Sequence, residues 1–288
     1  MVIKMGREEN VAVFENTKRL YQTNERLKAA VETSRRTQSL IREGDALPTH
    51  RGDKKYDAQA SIVVSGKRSF EAAEPYCSDG FRVCVHNFAS ATNPGGGVTR
   101  GAGAQEECLC RCSTLYPNLD CDEMWDGFYK PHRREGDALH NDDCIYTPGI
   151  IVFKTDTYKP APMREEDWYT VDVLTCAAPN LREKPSNPYN PSDSKEQVKI
   201  SRDELQRLHE KRFRRICDLA FEKDNDILIL GAFGCGAFMN PPEGVAAAAR
   251  TVVKEYLYCF RVIEFAVYTR RGDTSNYDAF QRTLSIIR

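Results

Sequence analysis

The sequence predicts an α/β domain, on two observations. From residue 58 onward, short runs of β-branched and aromatic residues alternate with charged segments of helical length. That alternation builds sheets covered by helices. Two of the strand-like runs, 82–89 and 226–230, lead into glycine-rich loops, and a helix-like segment follows each loop. A strand, a glycine loop and a helix start in that order form the usual anion site of open α/β sheets.

The elements follow in order. Residues 8–43 contain neither Pro nor Gly. Val11, Phe14, Leu20, Leu27, Ala30, Val31, Leu40 and Ile41 recur there at helical spacing among charges, which predicts two helices broken near 21–24. Gly44 and Pro48 end this stretch, and 44–57 reads as a linker. The expected organisation is therefore a helical N-terminal extension over 1–48 and a second unit over 58–288. Residues 62–64 read as a short buried strand and 69–76 as a helix with Ser69 as its N-cap. A strand is expected at 82–89, and the carboxylates of Glu106 and Glu107 fall at a helix start, since Cys108 to Leu115 carries no breaker. Strands come next at 145–153, weakened by Pro148, and at 169–176. Pro, Asn and Ser make 182–194 a loop. A charged helix spans 201–221. Its basic run Lys211–Arg215 is read as a solvated face because acids are interspersed nearby. The buried strand 226–230 is followed by a helix that opens at Pro241-Pro242 and runs to about residue 258. A strand at 261–268 and a helix at 277–286 close the chain. No internal repeat is present.

Composition bounds the class. The 288 residues are 41% hydrophobic and 29% charged with net charge −1. That supports a sizeable core, and nothing in the bulk demands a polyanionic partner. No run of about 18 apolar residues suggests a membrane span. The opening MVIKMGREEN lacks the apolar stretch of a secretory signal. The eleven cysteines are accordingly read as reduced thiols in a cytoplasmic protein.

The first chemical motif is Gly95-Gly96-Gly97, then seven residues, then Gln105-Glu106-Glu107. Glycine lets backbone approach a ligand closely. The expectation is a cradle whose N–H groups hold an anionic group, ending on acids that work on a glycosidic bond. Successive residues on a helix point about 100° apart, so the two glutamates are not expected to aim at one atom and should take separate roles. A mobile surface loop with an acidic helix start is the alternative. The second motif is Gly231 to Phe238, GAFGCGAF, expected to cradle a phosphate with its backbone; a tight turn without a ligand is the alternative. Its glycine order is the reverse of a dinucleotide fingerprint, and the Lys and Ser/Thr of a Walker A loop are missing.

Together these motifs are similar to the signature of the poly(ADP-ribose) glycohydrolases, and the short chain resembles their microbial branch. The resemblance implies a macrodomain-like three-layer α/β/α sandwich with a mixed sheet, so that 58–288 would be the catalytic domain. It implies Glu107 as catalytic acid and Glu106 as its ribose-binding partner. It implies that Asn93 bonds the distal ribose hydroxyls and that Gly95, Gly96, Gly97 and Gln105 bind substrate. Asn93 also suits a turn before Pro94. Gly234, Cys235, Gly236 and Ala237 would cradle the diphosphate, with Phe238 near the ribose at the scissile bond. The implied reaction is hydrolysis of ribose–ribose bonds in poly(ADP-ribose), without metal or other cofactor, on modified proteins; nucleic acid would enter only as an ADP-ribosylated substrate. A non-hydrolytic ADP-ribose-binding macrodomain, or a hydrolase of mono-ADP-ribosylated protein or nucleic acid, stays open.

Other candidates are weaker. Cys108, Cys110 and Cys112 are spaced C-x-C-x-C in a predicted helix, whereas zinc cages favour C-x2-4-C pairs in loops. They are read as buried thiols, and Cys235 as a packing residue. His86, His132 and His140 are scattered without a metal or triad pattern. Asp142-Asp143 is read as a turn.

Overall fold

The structure, a computed structural model, describes residues 6–186, 194–269 and 272–287. Its sheet has seven strands: β1 (Ser39–Ile41), β2 (Ser61–Ser65), β3 (Val83–Ala89), β4 (Cys144–Val152), β5 (Tyr169–Ala177), β6 (Ile227–Leu230) and β7 (Val262–Ala266). Their order is β1-β4-β5-β3-β6-β7-β2. β5, β3, β6, β7 and β2 pair in parallel, and β4 is antiparallel to both β1 and β5.

The helices are α1 (Arg7–Thr23), α2 (Glu25–Thr37), α3 (Ser69–Ser78), α4 (Gln105–Cys112), α5 (Leu115–Leu119), α6 (Asp122–Met124), α7 (Lys130–Glu135), α8 (Arg202–Glu222), α9 (Pro242–Val253) and α10 (Ser275–Leu284), with a π-helical turn at Trp125–Tyr129 between α6 and α7. They form one layer on each side of the sheet. On β3, Val83 and Val85 enter a core with Phe70 of α3 and Leu109 of α4. Cys84, pointing the other way, packs with Ile216 of α8 and Val252 of α9. A strand buried on both faces is apolar at successive positions because its side chains alternate between two cores.

The expected three-layer α/β/α architecture with a mixed sheet is what forms, with local departures. Leu40 and Ile41 extend the sheet as β1 instead of continuing a helix. Pro148 is tolerated because the β4–β5 register shifts between Thr147 and Ile150, beyond the end of β1, where the missing donor interrupts no ladder. The N-cap of α3 is Arg68, not Ser69, and the buried Asp156 carboxylate accepts from Phe70 N at 3.1 Å in the first turn. α9 stops at Val253, short of residue 258. Of the loop expected at 182–194, residues 187–193 lie outside the described residues.

The basic run of α8 is not a solvated face. Arg212 is fully buried. Its guanidinium pairs with Asp142 Oδ1 at 2.9 Å and donates to the carbonyls of Ala177, Leu139 and His140. Asp142 is thus an ion-pair partner and not simply a turn former. Helix α1 lies against the first glycine loop: Asn10 donates to Gly101 O at 3.0 Å, and Thr17 donates to Arg111 O at 2.5 Å.

Candidate active site

Because β3 and β6 are parallel neighbours, the loops after them emerge side by side at the C-terminal edge of the sheet. Their contact is direct: a Cβ on Gly231 would fall 2.7 Å from Phe88 Cζ.

The first loop ends where α4 begins, with Ala104 as N-cap. Gln105 ties the helix start to β3. Its Oε1 accepts from Phe88 N at 2.9 Å, and its Nε2 donates to His86 O at 2.8 Å and Ser69 Oγ at 3.0 Å. The amide expected to bind substrate is therefore engaged with the scaffold.

Glu106 and Glu107 are both buried. Helix side chains lean toward the N-terminus, which carries both carboxylates of this first turn back over the glycines. Glu106 Oε2 accepts from Ser90 N at 2.8 Å, and its Oε1 lies 3.4 Å from Asn87 Nδ2. Glu107 Oε1 accepts from Gly97 N at 2.8 Å. A Cβ on Gly96 would sit 2.6 Å from Glu107 Oε1 and 3.1 Å from Glu106 Oε2. The carboxylates therefore converge on Gly96, contrary to the expectation from the 100° helical step. Gly96 has φ +59° as well, so glycine is required there by both space and backbone.

This convergence has an electrostatic cost. Burial first, and then the Glu107 carboxylate, hold the Glu106 pKa well above the ordinary carboxylate value, against hydrogen bonds from Ser90, Asn87 and Gly95. Glu107 Oε2 is buried and, among the described residues, has no hydrogen-bond partner.

The first glycine loop does not offer the N–H cradle that was expected of it. Gly95 N–H goes to Glu106, Gly96 N–H to Asn93 O and Gly97 N–H to Glu107. The Gly95 and Gly97 donors hold the carboxylates, and the Gly96 donor closes the turn onto Asn93. Asn93 sits at the entrance of this loop, partly buried. Its Oδ1 accepts from Arg133 Nη2 at 2.7 Å, while Arg133 Nε donates to Thr92 O at 2.7 Å.

The second loop is different. Among the described residues, the backbone N–H groups of Gly234, Gly236, Ala237 and Phe238 donate to no protein acceptor. Gly236 and Ala237 are exposed, and Gly234, Cys235 and Phe238 partly so. Consecutive unpaired N–H groups before a helix make a concave anion site. Gly234 has φ +78°, and a Cβ there would meet Asn240 Nδ2 at 2.6 Å and Ala178 Cβ at 2.7 Å. Gly236 has open space around it. Burial raises the Cys235 pKa, which suits a packing residue better than a nucleophile. The Phe238 ring lies 5.9 Å from that of His140, with the Arg182 guanidinium 5.7 Å from its centroid.

The three clustered cysteines diverge. Cys108 Sγ accepts from Arg68 at 3.1 Å and Arg111 at 3.2 Å, Cys112 Sγ lies 3.5 Å from Thr155 O, and Cys110 packs under Gly95. His132 bonds Phe128 O and Asn141, and His140 bonds Ala178 O. His86 is in the core with neither ring nitrogen partnered among the described residues, and burial lowers its pKa to about 3.

Sequence reasoning missed Asn87, which faces Glu106, and Arg133, which holds Asn93. Asn87 had a usable signal: it is a polar residue at an inward position of the alternation Val83, Val85, Asn87. Arg133 had none, since its contact spans 40 residues.

The family model of the microbial-type PARG catalytic domain matches residues 8–155. The chain is similar to the crystal structure of poly(ADP-ribose) glycohydrolase from Thermomonospora curvata, at 28% identity and TM-score 0.79 over 96% of this chain and 99% of that one. It is similar to the same organism's enzyme bound to the inhibitor ADP-HPD, at 27% identity and TM-score 0.77 over 96% and 99%. It is also similar to the Deinococcus radiodurans enzyme in complex with ADP-ribose, at 30% identity and TM-score 0.74 over 90% and 98%. No match is found among curated protein sequences.

Proposed function

The chain belongs to the microbial-type poly(ADP-ribose) glycohydrolase family and is a poly(ADP-ribose) glycohydrolase, and from that premise we propose that Glu107 serves as both acid and base in the cleavage. The observation that carries this reading is the buried Glu107 Oε2, without a hydrogen-bond partner among the described residues, beside a loop whose Gly95 and Gly97 donors go to the two carboxylates.

Protonated Glu107 gives its proton to the ribose oxygen that leaves. The bond from the anomeric carbon to that oxygen breaks, its electron pair stays with the oxygen, and the sugar gains oxocarbenium character. The Glu107 carboxylate then takes a proton from water, whose oxygen bonds to the anomeric carbon. Glu106, held by Ser90 and Asn87, bonds ribose hydroxyls. Asn93, fixed by Arg133, does so from the loop entrance. Gly95 and Gly97 aim the carboxylates, Gly96 leaves room for them to converge, and Gln105 acts on position by pinning α4 to β3. The Gly234–Ala237 backbone holds the diphosphate, and Phe238 packs on the ribose next to the scissile bond.

The substrate is poly(ADP-ribose) on modified proteins, ADP-ribose is the product, and the reaction is placed in the cytoplasm. Nucleic acid enters only when ADP-ribosylated. Among the described residues no helix is long and apolar enough to cross a membrane. The decisive experiment sets the pure protein against poly(ADP-ribose), mono-ADP-ribosylated protein and ADP-ribosylated DNA, with free ADP-ribose measured. Release from the polymer alone supports the assignment; release only from a mono-ADP-ribosylated substrate overturns it.

Two further results are expected. Gly236→Val should raise the ADP-ribose dissociation constant at least about tenfold with little change in melting temperature, since nothing in the protein lies within 4 Å of the added Cβ. Unchanged affinity by calorimetry would remove the diphosphate from this loop. Gly234→Val is a poorer probe, because its strain and its clash with Asn240 also lower stability. Activity should survive excess EDTA, since Glu107 supplies both acid and base. Loss of activity that added metal restores would refute this route.

A further inference from the structure

We propose that His209 and Asn240 are positioning residues that hold the second glycine loop in its anion-binding shape from inside the protein. This inference rests on the reading that the loop binds the diphosphate.

Asn240 lies at the centre of the loop's curve. Its Nδ2 donates to Pro179 O at 2.7 Å and Gly234 O at 3.1 Å and lies 3.3 Å from Phe238 O, and its own N–H donates to Gly234 O at 3.1 Å. One amide therefore gathers both ends of the segment that carries the four unpaired N–H groups, and it ties them to the chain leaving β5. The peptide units that follow Gly234 and Phe238 are held on both sides, because the Cys235 N–H donates to Ala232 O and the Met239 N–H donates to Gly236 O, and each peptide unit is planar. The contacts at Gly234 O and Phe238 O thus fix the two units that flank the unpaired N–H groups of Gly236, Ala237 and Phe238.

Three carbonyls around Nδ2 fix the orientation of the Asn240 amide, so its Oδ1 faces His209 Nε2, 2.9 Å away. An amide oxygen only accepts, so Nε2 carries the hydrogen and Nδ1 does not. His209 is fully buried on α8, with its ring 5.8 Å from Phe233 and 6.3 Å from Phe213. Nδ1 is unpartnered among the described residues. Burial is the main cause lowering its pKa to about 4, so the ring stays a neutral Nε2–H donor through the physiological range. A charged ring would need a second acceptor at Nδ1. The order of contact runs from α8 through His209 and Asn240 to the loop.

His209→Leu removes the donor, while His209→Gln restores an N–H near the position of Nε2. His209→Leu should raise the ADP-ribose dissociation constant and KM about tenfold with kcat within about threefold, since a diphosphate contact is made equally in ground and transition states. His209→Gln should recover most of that loss. Asn240→Asp is the second variant, should His209→Leu fold poorly. It keeps size and the acceptor toward His209 but turns a carboxylate oxygen onto three carbonyls, and the same split in KM and kcat is expected. Nitrogen NMR should find His209 as the Nε2–H tautomer without titration between about pH 5 and 8. Unchanged affinity in His209→Leu or Asn240→Asp overturns the inference, as does a fall in kcat alone, failure of His209→Gln to recover, or a ring that titrates in that window. Gly236→Val separates the two readings. If it weakens binding while the His209 and Asn240 variants do not, only the positioning role fails. If none of them weakens binding, the diphosphate reading of the loop fails with it.

Discussion

Glu107→Gln is expected to lower kcat by at least about 10² to 10⁴-fold, the contribution of a positioned acid–base group, while ADP-ribose binding stays close to that of the native protein. Glutamine keeps the shape and accepts the Gly97 N–H as Glu107 Oε1 does. It cannot give a proton to the leaving oxygen or take one from water. The variant should also remain folded. Removing one of two buried, converging carboxylates relieves repulsion, so the melting temperature should hold or rise. Glu106→Gln is the control, since it removes the same repulsion but leaves the proposed acid in place, and its loss should be smaller. Initial rates on poly(ADP-ribose) and calorimetric titration with ADP-ribose on the same samples check both. Retention of more than about a tenth of the native rate, well inside that 10² limit, would sink the role of Glu107. A larger loss in Glu106→Gln would exchange the two roles.

Arg212→Met should have the largest effect on stability, costing about 3–5 kcal/mol, as removal of one partner from a buried ion pair does. The guanidinium is fully buried and makes one charged and three carbonyl hydrogen bonds. Its loss leaves the buried Asp142 with the exposed Lys211 Nζ at 2.6 Å in place of a buried partner and frees the chain at 139–142 from the end of β5. For a chain of this size the melting temperature should fall on the order of 10 °C. A fall of less than about 2 °C would mean that water reaches these groups at little cost. Replacing Asp142 by Leu in the same chain should recover part of the loss, because the buried charge is then gone. The pH dependence follows from Asp142. Burial pushes its pKa up, but Arg212 and Lys211 outweigh that and hold it below the ordinary value. The pair's stabilisation is therefore complete above about pH 4, the unfolded value, and is lost as pH falls through the folded value.

The strands, the order of helices and sheet, and both glycine loops were legible in the chain itself. Apolar runs such as 226–230 and the periodicity of 201–221 are local signals, written by which faces must leave water. The segment Leu115–Glu135 was not legible, because its short helices and π-helical turn are set by packing of Leu119, Phe128 and Tyr129 onto the sheet. β1 was misread as helix for a related reason. Three residues carry no period, and only pairing with β4 makes Ser39–Ile41 a strand.

For the site, the sequence by itself determined which residues meet at the sheet edge: Gly95–Gly97 and Glu106-Glu107 after one strand, Gly231–Phe238 after another. Only the tertiary structure decided how their hydrogen bonds are spent. The first loop turns the Gly95 and Gly97 N–H groups inward onto the two glutamates, whereas in the second the N–H groups of Gly234, Gly236, Ala237 and Phe238 meet no protein acceptor among the described residues. Composition and spacing do not distinguish these cases, since both loops are glycine-rich and both precede a helix. The outcome depends on the groups that the fold sets beside each loop, two carboxylates from the first turn of α4 in one case and an amide held by His209 in the other. A backbone donor goes to the acceptor that is nearest in space, and in a folded chain that acceptor need not be near in sequence.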